Sequence, residues 1–211
     1  MESKNYLDDI SEIKTMMHRS SRFLSLSGLS GVLAGVYALI GAFLARQKLN
    51  AIQNIDWYDL SDNDSVKIEM DLVIDLFIIA GGVLFLALLT GAILSMRKAK
   101  KSGEKIWNPT SRRLLLNFLI PLVTGGLFCL VLMQYGFAGL VAPATLIFYG
   151  LSCVNASKYT LGDVRYMGVA FVLIGLINTQ FISYGLYFWA LGFGVFHIIY
   201  GGLMYFKYDR S

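Results

Sequence analysis

The chain has 211 residues, of which 56% are hydrophobic, and its mean hydropathy is +0.60. The hydrophobic fraction exceeds that of ordinary soluble domains and stands in long blocks, which excludes a soluble protein with a large core. The formal net charge of +4 comes mainly from one loop, so it reflects membrane topology and does not indicate a nucleic-acid partner.

An amphipathic cytoplasmic helix is predicted at residues 1–22. Tyr6, Ile10, Ile13 and Met17 fall on one face of it at helical spacing. Its four basic residues are balanced by four acidic ones, whereas a membrane-surface anchor is usually basic. Two interpretations stay open: a helix packed on the cytoplasmic ends of the other helices, and a docking helix for another protein.

The first apolar block, residues 23–45, contains no charged residue and would form a helix about 34 Å long, enough to cross a bilayer. One face of this helix carries small residues, with Ser30 at its edge: Ser27, Gly31, Gly35, Ala38 and Ala42. Such a face favours close approach of a second helix, because lipid offers no hydrophobic force between helices and close backbone packing takes its place.

Five further apolar blocks complete the predicted fold: an all-α membrane protein with a bundle of six transmembrane helices at residues 23–206 and a cytoplasmic tail at 207–211. The predicted spans are residues 23–45, 72–96, 114–133, 137–156, 167–182 and 186–206. With both termini in the cytoplasm, cytoplasmic segments hold 15 of the 18 lysines and arginines. The positive-inside rule therefore predicts this orientation.

Local signals predict several helix ends. Asp64 or Ser65 is expected to cap the second helix, and Asn108 with Pro109 is expected to form the N-cap and first turn of the third. The third and fourth spans are joined only by residues 134–136, which predicts an antiparallel hairpin.

Pro121 and Pro143 lie inside the third and fourth predicted spans. Each removes a backbone hydrogen bond, to the carbonyl of Asn117 and of Gly139 respectively. The resulting kinks could form hinges or pockets where neighbours satisfy the freed carbonyls, or could be fixed packing features.

Four polar residues within the predicted spans form a candidate intramembrane polar site: Asp75, Asn178, Gln180 and His197. Asp75 is the only carboxylate predicted at membrane depth, and an intramembrane ionisable residue is by default a functional hypothesis. It also lies close to a polar loop, so a structural role at the interface and an ion or proton role both stay open.

His197 interrupts a second small-residue face, in the last span. We expect this face to pack on the first span, with a hydrogen bond between His197 and Ser30 or Ser27. The predicted helix-packing seam comprises Ser27, Ser30, Gly31, Gly35, Gly194 and Gly201. A satisfied interhelical histidine and a proton or substrate role are the alternatives for His197.

The sequence predicts no catalytic residues, no cofactor and no metal site, and it does not favour an enzyme. Haem ligation by a histidine pair needs matched depth, and His18 precedes the first span. HExxH, paired Cys/His spacings and glycine-rich nucleotide loops are lacking, and Asp75 has no second aspartate within the spans. Cys129 and Cys153 lie at different depths and are predicted to be free, buried thiols.

Two blocks carry a resemblance to a known group: SSRFLSLSGLSGVLAGVYALIGA near the start and FISYGLYFWALGFGVFHIIYGG near the end. They are similar to an uncharacterised family of small bacterial six-span membrane proteins, and the resemblance covers essentially the whole chain. It implies a bacterial inner-membrane location and implies no activity for any residue.

Two functional classes follow. The first is a non-enzymatic protein that regulates, senses or assists assembly through its cytoplasmic face; its candidate partners are the lipid bilayer, a soluble cytoplasmic protein and a second copy of the chain. The second is a small channel or transporter whose polar path is lined by Asp75, Asn178, Gln180 and His197. A water-accessible cavity near the midplane would favour the second class, and a tightly filled bundle the first.

Overall fold

A computed structural model of the chain describes residues 27–53, 55, 61–103 and 106–209. The described residues are almost entirely helical and contain no strand. The amphipathic helix predicted at residues 1–22, and the start of the span predicted at 23–45, lie outside the described residues.

Six helical elements follow one another along the described chain. They are α1 (Gly28–Gln53), α2 (Asp62–Lys101), α3 (Pro109–Gln134), α4 (Val141–Ala156), α5 (Val164–Gln180) and α6 (Ile182–Asp209). Among the described residues, five helices are long and apolar enough to cross a membrane, α4 being counted with its flanking 3₁₀ turns as Ala138–Tyr159, and α5 is a shorter apolar helix of 17 residues. The prediction of an all-α chain built from membrane-span-like helices is therefore confirmed.

The last element, α6, changes helix type along its length. A 3₁₀ turn at Ile182–Tyr184 leads into an α-helical turn, Gly185–Trp189. A π-helical segment, Ala190–Phe196, then precedes the α-helix His197–Met204 and a second π-helical segment, Tyr205–Asp209.

The structure divides into two compact units, which we call unit one (residues 27–94 and 183–209) and unit two (residues 95–182). Unit one contains α1, most of α2 and nearly all of α6. Unit two contains the last turns of α2 together with α3, α4 and α5.

The α2 helix is longer than a membrane span requires. Its 40 residues correspond to about 60 Å. The charge-free stretch 76–96 accounts for about 31 Å, close to the thickness of a bilayer's hydrocarbon core.

The start of α2 is capped by Ser61. Its hydroxyl accepts a hydrogen bond from the Asp64 amide at 3.3 Å and donates to the Asp64 carboxylate at 2.6 Å. The prediction that Asp64 or Ser65 caps this helix was wrong, because the helix begins earlier and Ser61 occupies the cap.

The predicted ends of α3 are confirmed. Asn108 is the N-cap, with a capping box: its side chain accepts from the Ser111 amide at 2.7 Å, and the Ser111 hydroxyl accepts from the Asn108 amide at 2.9 Å. At the other end Gly136 adopts a positive φ of 76°. The Phe137 amide donates to the Leu132 carbonyl at 2.8 Å, so a Schellman motif turns the chain into α4.

Within unit two, α4 and α5 pack backbone to backbone. A Cβ added to Gly150 would lie 2.6 Å from the Gly168 carbonyl oxygen, and a Cβ on Gly168 would lie 2.6 Å from the Gly150 carbonyl oxygen. A Cβ on Gly175 would lie 3.0 Å from the Pro143 carbonyl oxygen. Only glycine permits this approach.

Aromatic rings connect the three helices of unit two. The ring of Tyr149 on α4 lies 5.9 Å from that of Phe118 on α3 and 4.9 Å from that of Phe171 on α5. Phe171 is completely buried. Cys129 and Cys153 are both buried and free, as the sequence predicts.

The two prolines have different consequences. Pro121 lies inside α3, and the carbonyl of Asn117 that it leaves without its usual helical donor accepts a hydrogen bond from the Asn155 side-chain amide of α4 at 2.9 Å. Pro143 is the third residue of α4, a position whose N–H has no helical partner in any case. The kink predicted at Pro143 was therefore wrong, because α4 begins only two residues before it.

The Asn155–Asn117 hydrogen bond generates a stability prediction. Asn155→Ala should lower the free energy of unfolding by about 1–2 kcal/mol, because it leaves the Asn117 carbonyl without a donor. In a Pro121→Ala background the backbone amide restored by the substitution can donate to that carbonyl, so Asn155→Ala should cost less there. Unfolding of the wild type, the two single variants and the double variant in mixed detergent measures the difference, and equal losses in both backgrounds would refute it.

Candidate functional site

Glycines of α1 and α6 meet along a seam within unit one. A Cβ on Gly35 would lie 2.6 Å from the Gly194 carbonyl oxygen. One on Gly201 would lie 2.8 Å from the carbonyl carbon of Gly31, and one on Gly31 would lie 3.1 Å from the Gly201 Cα. The structure thus brings together the four glycines of the predicted seam.

The seam serines have partners other than the histidine. The Ser30 hydroxyl donates to the Ser27 carbonyl at 2.6 Å, and the Ser27 hydroxyl donates to the Asp209 carboxylate at 3.2 Å. Since both hydroxyl protons are used in this way, His197 accepts from neither serine.

His197 is buried, directly after the first π-helical segment of α6. Its Nδ1 lies 3.5 Å from the Gly192 carbonyl oxygen, at the outer limit of a hydrogen bond. Its ring stacks on Phe193 with centroids 6.0 Å apart, and Phe193 in turn lies 5.0 Å from Trp189. The imidazole therefore continues an aromatic row along one side of α6. Single-turn π-helical segments often occur at functional sites.

Asp209, at the end of α6, caps the beginning of α1. The Gly28 amide donates to the Asp209 carboxylate at 2.9 Å, beside the Ser27 hydroxyl. A carboxylate at a helix N-terminus satisfies an unpaired amide and interacts favourably with the helix dipole. Sequence reasoning missed this residue. The available signal was an acidic side chain one turn after the last span, on the same predicted membrane side as Ser27.

Asp75 forms an ion pair within unit one. Its carboxylate lies 2.7 Å from the Lys48 ammonium group, with side-chain exposures of 38% and 52% respectively. About two turns before Lys48 in α1, a Cβ on Gly41 would meet the Val83 side chain of α2 at 2.5 Å, so α1 and α2 are also in apolar contact. The charge of Asp75 is thus balanced where the charge-free stretch of α2 begins. This geometry favours an interfacial structural role for Asp75.

The other two candidate polar residues belong to unit two. Asn178 is completely buried, and neither its Oδ1 nor its Nδ2 has a hydrogen-bond partner among the described residues. Gln180 is exposed, and its side-chain amide donates to the Thr179 hydroxyl at 3.2 Å. Burying an amide without a hydrogen-bond partner costs free energy, so Asn178 differs from the other three residues of the predicted polar site.

Comparisons with known proteins add no assignment to these residues. No family model matches the chain, and neither a curated protein nor a solved structure matches it. Within the described residues, no group of three or more His, Cys, Asp and Glu side chains could hold a metal ion.

The Asp209 cap generates a prediction about unit one. Asp209→Ala should lower the free energy of unfolding by about 1 kcal/mol, because it removes the acceptor of the Gly28 amide. Asp209→Asn, which keeps an acceptor oxygen but loses the charge, should cost less. Glu69→Gln is the matched control, since Glu69 is an exposed acid of α2. Detergent unfolding compares the three variants, and an Asp209→Ala loss no larger than that of the control would contradict the cap.

The buried amide generates a second prediction. Asn178→Leu should raise the free energy of unfolding by about 1–3 kcal/mol, because it replaces an unpartnered buried amide with an apolar side chain of similar size. Gln180→Leu, at a neighbouring exposed amide, should change it little. Thermal unfolding in detergent compares both variants with the wild type. Destabilisation by Asn178→Leu would instead mean that the amide has a partner, such as a buried water.

Proposed function

We propose that this chain is a non-enzymatic polytopic membrane protein that regulates, senses or assists assembly through its cytoplasmic face. One observation carries the proposal: one pair of helices in each unit, α1 with α6 and α4 with α5, meets through glycines whose backbones touch the facing helix. Such contacts occupy the space in which a polar path between the two paired helices would run. Close packing there leaves the ends of the helices and the connecting loops as the surfaces for function.

The proposed setting is the bacterial inner membrane, crossed six times, with an amphipathic helix at residues 1–22 and both termini in the cytoplasm. The distribution of lysines and arginines supports this orientation. In it α5 is the fifth and short span, about 26 Å long, and it needs local bilayer thinning or interfacial anchors at its ends. The resemblance to small bacterial six-span proteins agrees with this setting. The lipid bilayer, a soluble cytoplasmic protein and a second copy of the chain are the proposed partners.

The alternative function is a small channel or transporter lined by Asp75, Asn178, Gln180 and His197. The buried, unpartnered amide of Asn178 is the observation that favours it. Two of the other residues fit it less well, because Asp75 is paired with Lys48 and Gln180 is exposed. We therefore place this function second.

Flux measurements separate the two functions. In proteoliposomes of the full chain, proton and monovalent-cation flux should not depend on Asp75→Asn or His197→Ala, because neither side chain lines a conducting path in the favoured function. Glu69→Gln serves as the control for a change of charge. A flux above that of empty vesicles, abolished by either test variant and retained by the control, would overturn the proposal in favour of the transporter.

The cytoplasmic role has its own readout in cells. A photo-crosslinking amino acid at Ser102, in the turn that follows α2 on the predicted cytoplasmic side, should give discrete protein adducts. The same amino acid at Tyr135, in the opposite turn between α3 and α4, should not. Both side chains are exposed, so they are matched in accessibility. Equal adduct patterns at the two positions would contradict a role confined to the cytoplasmic face.

A further inference from the structure

Basic side chains gather at one end of unit two. This end is formed where α4 finishes and where α3 and α5 begin, as the Asn155–Asn117 hydrogen bond and the Gly150–Gly168 contact show. The end of α2 belongs to the same unit and precedes α3 by seven residues. We call its exposed basic side chains the basic face: Lys100, Lys101, Arg112, Arg113, Lys158 and Arg165.

The charges of the basic face have no counter-ion within the described part of the chain. The ion pair found there joins Lys48 and Asp75, in the other unit, and none of the six basic side chains takes part in an ion pair with another described residue. Asp163 is the acidic side chain that the described residues place at this end. Among the described residues at this end, positive charges therefore outnumber negative ones, and the basic face can attract an anion.

The position of these charges favours a lipid headgroup over a soluble protein. Arg112 and Arg113 are the fourth and fifth residues of α3, and Leu115 and Leu116, two and three positions after Arg113, are 43% and 53% exposed. Trp107, just before the same helix, is 68% exposed. Basic and aromatic side chains that border an apolar helix surface are typical of the headgroup level of a bilayer.

We propose that the basic face binds the phosphate-bearing headgroups of anionic phospholipids. The inference rests on the membrane insertion proposed above and goes beyond it. Membrane topology requires basic residues on one side but does not require the protein to select among lipids there. Six exposed cations, which outnumber the acid Asp163 among the described residues at this end, are expected to hold anionic lipid more strongly than zwitterionic lipid in the surrounding annulus.

Trp107 supplies a local probe for the test. The full chain with Trp57→Phe and Trp189→Phe keeps Trp107 as its single tryptophan. It is reconstituted in phosphatidylcholine vesicles that contain either dibrominated phosphatidylglycerol or dibrominated phosphatidylcholine, whose bromines quench tryptophan on contact. Quenching should give a relative association constant of about five or more in favour of phosphatidylglycerol, the factor that one basic residue near an anionic surface supplies. High salt should lower this preference.

Charge removal identifies the residues responsible. Arg112→Gln with Arg113→Gln should lower the relative association constant, because it removes two of the six cations of the basic face. Lys67→Gln, which removes an exposed charge near the other end of α2, should leave it unchanged. Spin-labelled phosphatidylglycerol and phosphatidylcholine give the same relative association constant for the protein that keeps all three tryptophans. Size-exclusion chromatography shows whether each variant is folded.

Each outcome decides the inference. Wild-type protein without preference for phosphatidylglycerol would overturn it and would assign the basic face to an acidic soluble partner. A preference that loss of both arginines leaves unchanged would overturn it as well, because the selectivity would then arise elsewhere. Failure of the chain to remain in the vesicles after a carbonate wash would instead refute the proposed membrane insertion, so the two failures are distinguishable.

Discussion

Close contact between helix backbones at glycine is the interaction on which both units depend. Helices in lipid gain little from burying apolar side chains against each other, because the lipid tails are equally apolar. Dispersion contacts between closely fitting surfaces take over that role, and they require the two backbones to approach. Gly150 and Gly168 provide this approach in unit two, as Gly35 and Gly194 do in unit one. Large apolar side chains such as Phe85 and Leu127 can then point outward, where lipid is an adequate environment.

The second constraint is that backbone N–H and C=O groups at membrane depth each need a hydrogen-bond partner. A polar backbone group without a partner costs several kcal/mol in the hydrocarbon region, so each break in a helix needs a substitute donor or acceptor. The Asn155 side chain donates to the carbonyl that Pro121 leaves without its helical donor. At helix starts, Asn108 and Asp209 accept from backbone amides of α3 and α1. These polar side chains complete the helices and need no further role to explain their presence.

The features predictable from sequence are those encoded by neighbouring residues. Helical spacing predicted the glycine faces of α1 and α6. The Asn108–Pro109 pair predicted the start of α3, because helix capping depends on neighbouring residues. The Asp209 cap joins residues 181 positions apart and leaves no periodic trace, so composition could not reveal it. The π-helical segment Ala190–Phe196 could not be predicted either, since its residues would also suit an α-helix.

Other predictions failed because the sequence offered equivalent choices. Ser61, Asp64 and Ser65 can all cap a helix, and the choice depends on where the preceding chain enters α2. The candidate polar site was identified by residue type alone, which could not distinguish a paired interfacial acid, Asp75, from an unpartnered buried amide, Asn178.

The distribution of charged side chains limits which parts of the protein can attract a charged partner. Two of the buried polar side chains are His197, which lies beside aromatic rings, and Asn178, a neutral amide, whereas the partly exposed Asp75 is paired with Lys48. Moving an unpaired charge into such interiors would be costly, so charges without protein partners are stable only where water or headgroups solvate them. The exposed basic side chains of unit two, which include Arg112 and Lys158, meet that condition. Charge can therefore act at that exposed end of unit two, whereas the buried part of each unit offers neutral polar groups such as the amide of Asn178.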